Sequence, residues 1–419
     1  MICERRLDNG LVLLTESMPD LRSATVGVWL RRGSRHEPGP INGISHFIEH
    51  LVFKGTERRT AADIAREIDA VGGQMDAFTS KESTCFYIRV LDLHLPLALD
   101  MLTDILRHPR FDADAIEKER KVIFEEIRMV EDSPEELLID LLYTARWGDH
   151  PLGRPIQGTF DTVGPMDRDL LGKFFTSTYT PSNLVLSAAG HLDPEAIAAH
   201  VDGVFADLPA GSSEEPIAAP ISRAGIVSRP KNEMEQLHLC LAVDGLPQTD
   251  DDRYALLVLN NLLGGTMSSR LFQKVREERG LAYSVYSGVN AHADSGFQVI
   301  YAATNPTSAR DVMKVVGEEL QRLKEEAVAE AELADSRENL KGNLMLSMES
   351  SSSRMSNLAR KEIVHGRQFT MEEILAGIDA VTVDDMQRLA RATFRAEGAT
   401  LAVLGPLDGF DPDESLLDF

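Results

Sequence analysis

Two histidines and a glutamate fall within five consecutive residues, His46-Phe47-Ile48-Glu49-His50, inside the stretch 42–55 (NGISHFIEHLVFKG). Wound into an α-helix, residues four apart stand about 40° apart around the axis, so His46 and His50 project from one face and can grip one ion. Glu49 falls about 60° to the other side of His46, near enough to meet a water on that ion without ligating it. Phe47, Ile48, Leu51 and Val52 would anchor such a helix in a core, with Asn42 as its cap and Gly55 as its stop. A catalytic tetrahedral site needs a third protein donor and leaves its fourth position to water. The helical pattern over 114–130 (DAIEKERKVIFEEIRMV) offers one. Its apolar face is Ile116, Ile123, Ile127 and Val130, and Glu119 and Glu126, two turns apart, share another face. Carboxylates beside an apolar stripe are ordinarily solvated surface. The histidine pair upstream makes these two candidate members of a metal site.

The elements that must position these groups are mixed. Residues 25–31 (TVGVWLR) alternate apolar and polar positions, and 83–90 (STCFYIRV) is rich in β-branched and aromatic residues, so both read as strands. Helices are expected over 61–71, with a capping box from Thr60 and Asp63 and a stop at Gly72, and over 95–106, 114–130 and 135–146. The 419-residue length is that of more than one domain. A Pro-, Gly-, Ser- and Ala-rich stretch, 208–231, cuts the chain near its middle.

The halves on either side repeat. Residues 171–192 overlay 386–407 without a gap, pairing Tyr179 with Phe394, Gly190 with Gly405 and Leu192 with Leu407. Residues 64–78 overlay 272–286, pairing Gly72 with Gly280. The first pair reads as helix, turn and strand ending at glycine, the second as helix, glycine stop and strand. The expected architecture is α+β: two homologous domains, 1–212 and 232–419, joined by a linker at 213–231. Each would be a mixed, largely antiparallel sheet packed with helices. Only the first half carries the metal pattern. At the repeat offset His46 and His50 fall on Tyr254 and Val258, and Glu126 falls in 334–341, a window that holds Glu338 but no histidine pair.

His-x-x-Glu-His followed 76 residues later by Glu126 resembles the signature of the inverted-motif zinc peptidases, the family of pitrilysin, insulysin and the mitochondrial processing peptidase. The strings GISHFIEHLVFKGT, DAFTSKES, VIFEEIRM and YTPSNLVLSAAGHLD are similar to that family too, and the likeness runs through nearly the whole chain. The length resembles its short, two-domain, bacterial processing-peptidase-like branch. The resemblance implies one Zn2+ held by His46, His50 and Glu126, Glu49 as the base that activates water, and Glu119 as a supporting carboxylate. It implies that Arg276 and Tyr283, in VREERGLAYSVYSG, contact substrate near the scissile bond, which needs the two domains to face each other across a cleft. It also implies that the strand around 74–80 pairs its edge with an extended peptide, which brings in Asp76, Ala77 and Phe78. Asp76 departs from the asparagine usual there. The implied activity is endopeptidase cleavage of extended peptides, and the competing role within the same fold is a non-catalytic subunit that binds peptides or scaffolds a complex. The intact ligand set and base favour the hydrolase.

Composition narrows the partners. Acidic residues outnumber basic ones 67 to 43, for a net charge of −24, which argues against a nucleic-acid backbone and allows basic peptides. The chain begins without an apolar run leading to a small-residue cleavage site, and its longest apolar runs are too short to span a bilayer, so no secretory signal and no membrane partner are expected. Three scattered cysteines, Cys3, Cys85 and Cys240, make no disulfide framework and fit a reducing, cytoplasmic setting. Short members of the resembled family pair, so a homodimer or pairing with a related subunit is expected.

Overall fold

The computed structural model describes residues 2–211, 217–407 and 409–419. The chain divides into two compact units, each with its own sheet. The first comprises Met1–Arg128, Arg154–Ile217 and Leu346–Gln368, and the second Met129–Gly153, Ala218–Met345 and Phe369–Phe419.

Strands β1 (Ile2–Arg6), β2 (Val12–Ser17), β3 (Ser23–Leu30), β4 (Gln74–Thr79), β5 (Thr84–Leu91) and β6 (Leu184–Gly190) form the first sheet in the order β1-β2-β6-β3-β5-β4. Strands β7 (Gly225–Pro230), β8 (Leu237–Asp244), β9 (Ala282–Ala291), β10 (Gly296–Thr304) and β11 (Thr400–Gly405) form the second, in the order β7-β11-β8-β10-β9. Apart from β1 the two orders correspond strand for strand. In each, one parallel pair (β2 with β6, β7 with β11) joins an otherwise antiparallel ladder. The backbone repeats as well. Gly190 and Gly405 end β6 and β11 at φ 130° and 131°, and Gly72 and Gly280 stop the helical segments before β4 and β9 at φ 64° and 60°. These are left-handed conformations that glycine adopts without a side-chain clash.

In the first unit, Val26, Val28 and Leu30 of β3 join Phe47, Ile48, Leu102 and Ile105 in one core layer. The opposite face of the strand is covered too. Trp29 packs with Met355, Leu358 and Ala359 of helix Ser351–His365 and donates to Met355 Sδ at 3.3 Å. The polar and small positions of the alternation in β3 therefore face protein. Thr25 Oγ1 lies 2.9 Å from Ser351 Oγ, and a Cβ on Gly27 would come within 2.6 Å of Met355 Sδ.

Helix Pro134–Trp147 is the reciprocal case. Its Leu138, Leu142, Tyr143 and Trp147 pack on Cys240, Ala242, Phe297 and Leu404 of the second sheet. Arg146, fully buried, reaches Asp244 Oδ1 at 2.7 Å and Gly398 O at 2.8 Å. The contiguous division at 212 and 232 thus differs from the compact units at two helices, each packed on the sheet built by the other half of the sequence. The expected linker differs as well. Residues 213–216 lie outside the described residues, but Gly225–Pro230 is a strand beside β11, at the sheet edge where a proline costs no ladder bond.

No helix among the described residues is long and apolar enough to cross a membrane.

Leu138→Ala should cost about 2–5 kcal/mol of stability, because it leaves a cavity beneath the second sheet. Amide exchange should speed up in β8, β10 and β11 while β2, β3 and β6 stay protected. Faster exchange confined to the first sheet would contradict the assignment of this helix to the second unit.

Candidate metal centre

The histidines ride on helix Ile44–Val52, which buries Ile44, Phe47, Ile48, Leu51 and Val52. Its N-terminus is closed by Glu37, a residue outside the helix. The Glu37 carboxylate accepts from Gly43 N at 2.7 Å, Ser45 N at 2.8 Å and Asn42 Nδ2 at 2.9 Å. Burial pushes Glu37 above the ordinary carboxylate range, and these bonds pull against that rise. Asn42 is therefore not the cap. The first residue before the helix is Gly43 at φ 96°, where a Cβ would meet Gln157 O at 2.7 Å. The last turn closes at Phe53, two residues before the expected Gly55.

The carboxylates come from helix Ala113–Asp132. Arg120 anchors it by donating to Val163 O at 2.6 Å, Gly164 O at 2.9 Å and Met166 O at 2.7 Å, with its guanidinium over the Phe47 ring. Glu119 sits in the buried stripe with Ile116, Ile123 and Ile127, only 7% exposed. A carboxylate on the apolar face of a helix needs partners, and it has two. Oε2 lies 3.2 Å from His50 Nδ1 and Oε1 lies 2.9 Å from Lys54 Nζ.

Three donors converge. Glu126 Oε2 lies 3.4 Å from His46 Nε2 and 3.4 Å from His50 Nε2, and the three atoms all fall within 4.8 Å of one another. That spacing is long for a strong N–H···O bond, which prefers about 2.7–3.2 Å. It matches the roughly 3.4 Å between two donors each about 2.05 Å from a tetrahedral ion. His46 Nδ1 is buried without a partner, which leaves Nε2 as the nitrogen making that ring's polar contact. Burial and the neighbouring His50 pull His46 down to about 4, so it is a neutral imidazole at pH 7, the form that ligates metals. Burial also lowers His50, but the carboxylates of Glu126 and Glu119 outweigh it, and Glu126 is held low chiefly by its bond to His50. The donor set therefore fits a divalent ion of the zinc class, with Glu119 bracing the far nitrogen of one ligand. Among the described residues no other group of three His, Cys, Asp or Glu side chains converges in this way.

Glu49 is not a donor to this group. Burial pushes its carboxyl above the ordinary value, opposed by a hydrogen bond from Thr79 Oγ1 to Oε2 at 2.5 Å. Glu49, His50, Lys54, Met75, Asp76 and Ala77 help line a hollow of about 250 Å³ beside β4. Hollows of about 570 and 500 Å³ elsewhere share none of these residues and hold no such donor set.

Among the described residues strand β4 lies at the edge of its sheet and pairs with β5 alone. Asp76 is exposed and bonds locally, accepting from Ala77 N at 2.8 Å and from Tyr87 Oη at 3.3 Å. Phe78 packs edge-on against Trp29 with ring centroids 5.5 Å apart, so its side chain belongs to the core rather than to the hollow. Arg276 and Tyr283 lie in the second unit. Arg276 sits on the π-helical turn Phe272–Glu277 and Tyr283 on β9, and the guanidinium carbon is 4.4 Å from the centre of the Tyr283 ring, which is 76% exposed. Sequence reading missed Glu37, Lys54 and Thr79. Only Lys54 carried a local signal, standing four residues after His50.

Residues 12–160 match the family described as insulinase (peptidase family M16), and residues 165–340 match the one described as the peptidase M16 inactive domain. An uncharacterized zinc protease of Bacillus subtilis is 42% identical over 406 residues, 97% of this chain and 98% of that protein. An uncharacterized zinc protease of Mycobacterium tuberculosis is 43% identical over 407 residues, 96% of this chain and 92% of its own length. A protease from Helicobacter pylori shares the fold with a TM-score of 0.90 at 24% identity, covering 97% of this chain and 99% of that one.

Glu37→Ala should cost about 3 kcal/mol or more, since it strands three buried donors at roughly 1–3 kcal/mol each. A urea melt of the variant beside the parent checks this. A loss below about 1 kcal/mol would mean that the helix terminus is held by something else.

Proposed function

The chain belongs to the insulinase family of peptidases, M16, and from that premise we propose that it is a zinc-dependent endopeptidase acting on extended or unfolded peptides. The observation that carries the reading is the meeting of His46 Nε2, His50 Nε2 and Glu126 Oε2 at the spacing of a tetrahedral ion's donors. Such an ion, when bound, supplies a Lewis acid that acidifies water and polarises a carbonyl.

The residues around it have separate tasks. His46, His50 and Glu126 hold the ion, and Glu119 fixes the His50 ring through Nδ1. Lys54 offsets the charge that Glu119 brings into the interior. Glu49, with a raised carboxyl pKa, takes a proton from the attacking water and passes it to the departing amine as the C–N bond breaks. The free edge of β4 at Asp76, Ala77 and Phe78 receives the peptide backbone, a contact that asks little of substrate side chains. Asp76 beside the hollow favours a basic residue near the cleaved bond. Arg276 and Tyr283 contact the bound peptide and donate to the carbonyl oxygen as charge develops there. In the same reading the enzyme works in the cytoplasm as a homodimer or with a related subunit, without nucleic acid or membrane.

Glu49→Gln should keep stoichiometric zinc and lose peptidase activity by at least about 100-fold. Near-normal turnover of a quenched fluorescent peptide by that variant would remove Glu49 from the role of base. His50→Ala and Glu126→Ala should instead lose the metal, as elemental analysis would report. Chelator should silence the parent enzyme and added zinc restore it. Stoichiometric zinc with no cleavage across a peptide library would favour a binding subunit.

A further inference from the structure

We infer that Thr79 is a positioning residue for the Glu49 carboxylate, an inference that rests on the reading of Glu49 as the water-activating base. Glu49 stands on helix Ile44–Val52 between the two ligand histidines, in surroundings that burial makes costly for a bare carboxylate. Among the described residues the hydrogen bond made by its side chain comes from Thr79 Oγ1, at 2.5 Å to Oε2. That is the short, charge-assisted kind, about twice as strong as a bond between neutral groups.

The donor is held on a rigid support. Thr79 is the last residue of β4 and pairs with Thr84 across β5. The turn beyond it is closed by Ser80 N to Ser83 O at 2.8 Å and Ser83 N to Ser80 Oγ at 3.1 Å. Ser34 N donates to Ser80 O at 3.1 Å, and Thr84 Oγ1 to Arg32 O at 3.0 Å. A β-branched side chain on so constrained a backbone has few rotamers, so its hydroxyl oxygen is held in place and the O–H turns toward Glu49 Oε2, the acceptor within reach.

A carboxylate that shuttles a proton must present one oxygen to the reacting water and then to the leaving nitrogen, without rotating to offer the other. The hydroxyl has one proton, and donating it to Oε2 leaves Oε1 for that exchange. In the reaction, water gives a proton to Oε1 and its oxygen adds to the peptide carbonyl carbon. The C–N bond then breaks, and the proton leaves Oε1 for the amine nitrogen. Products are a carboxyl group and an amine, and Thr79 keeps its own proton throughout. Its place in β4 has a second consequence. The strand whose free edge takes the peptide is the strand that orients the base, so substrate register and base orientation are set by one element.

Thr79→Val keeps the shape and the β-branch but removes the hydroxyl, and Thr79→Ser keeps the hydroxyl and removes the methyl. With full-length, zinc-loaded protein and a quenched peptide that the parent cleaves, T79V should lower kcat by about 10–100-fold with KM within about 3-fold. Zinc affinity by chelator competition should stay near the parent's, and the thermal midpoint should fall by only about a few degrees, the cost of one lost hydrogen bond. T79S should retain kcat within about 3-fold. Parental kcat in T79V, or an equal loss in T79S, or a rise in KM without a fall in kcat, would overturn the inference while an inactive E49Q still supported Glu49 as base. Cleavage by E49Q at the parent's rate would overturn that assignment and, with it, the role of Thr79.

Discussion

Two imidazoles on helix Ile44–Val52 and one carboxylate on helix Ala113–Asp132 bring three atoms to within 4.8 Å of one another, and neither helix can do this alone. The closeness concentrates charge. Glu49, Glu119 and Glu126 are carboxylates crowded around the two histidines, with Lys54 the cation bonded among them. A divalent ion together with Lys54 offsets three carboxylates, and without the ion the cluster keeps an excess of negative charge in a half-buried place. Much of the first unit can be read as the scaffolding this requires. Arg120 ties the carboxylate helix to the 163–166 backbone, and Glu37 closes the histidine helix from below. The sheet layer under Phe47 and Ile48 then fixes its height.

The two sheets follow one strand order, yet only the first carries this load. In the second unit, helix Arg253–Asn260 buries Ala255, Leu256, Val258 and Leu259, with Val258 and Tyr254 at the positions aligned with the histidines. Neither position carries a carboxylate or an imidazole, so no buried charge has to be compensated there. The exchanged helices add a further link between sequence and stability. Each sheet completes its second covered face with a helix from the other half of the chain, so neither half on its own has all its core.

What could be read from sequence was what depends on near neighbours. Thr60 and Asp63 do form a capping box, and Gly72 does take a left-handed φ, because both effects act within a few residues. The His-x-x-Glu-His face was legible for the same reason, since the α-helical repeat alone sets it. The Glu37 cap was not. It acts across a 3₁₀ turn, Gly39–Ile41, whose path no periodicity announces. Periodicity also says which face of helix Pro134–Trp147 is buried but not against which sheet, and that is why contiguous domains looked sufficient. Strand β7 was hidden by composition: Ile226 and Val227 are a short apolar pair between stretches that read as linker.

Thr79 was invisible for a more instructive reason. A threonine at the end of a strand is ordinary by propensity, and its place in DAFTSKES marks the strand without marking its hydroxyl. Its importance comes from a helix thirty residues earlier in the chain, placed by the core so that Glu49 Oε2 meets its hydroxyl. Local rules therefore locate the groups that ligate, because ligation by one helix is a matter of spacing along it. The orientation of a base depends on a strand, a turn and a helix meeting at one hydrogen bond. That information is tertiary, and it is the kind of contact by which a shared motif becomes a working geometry.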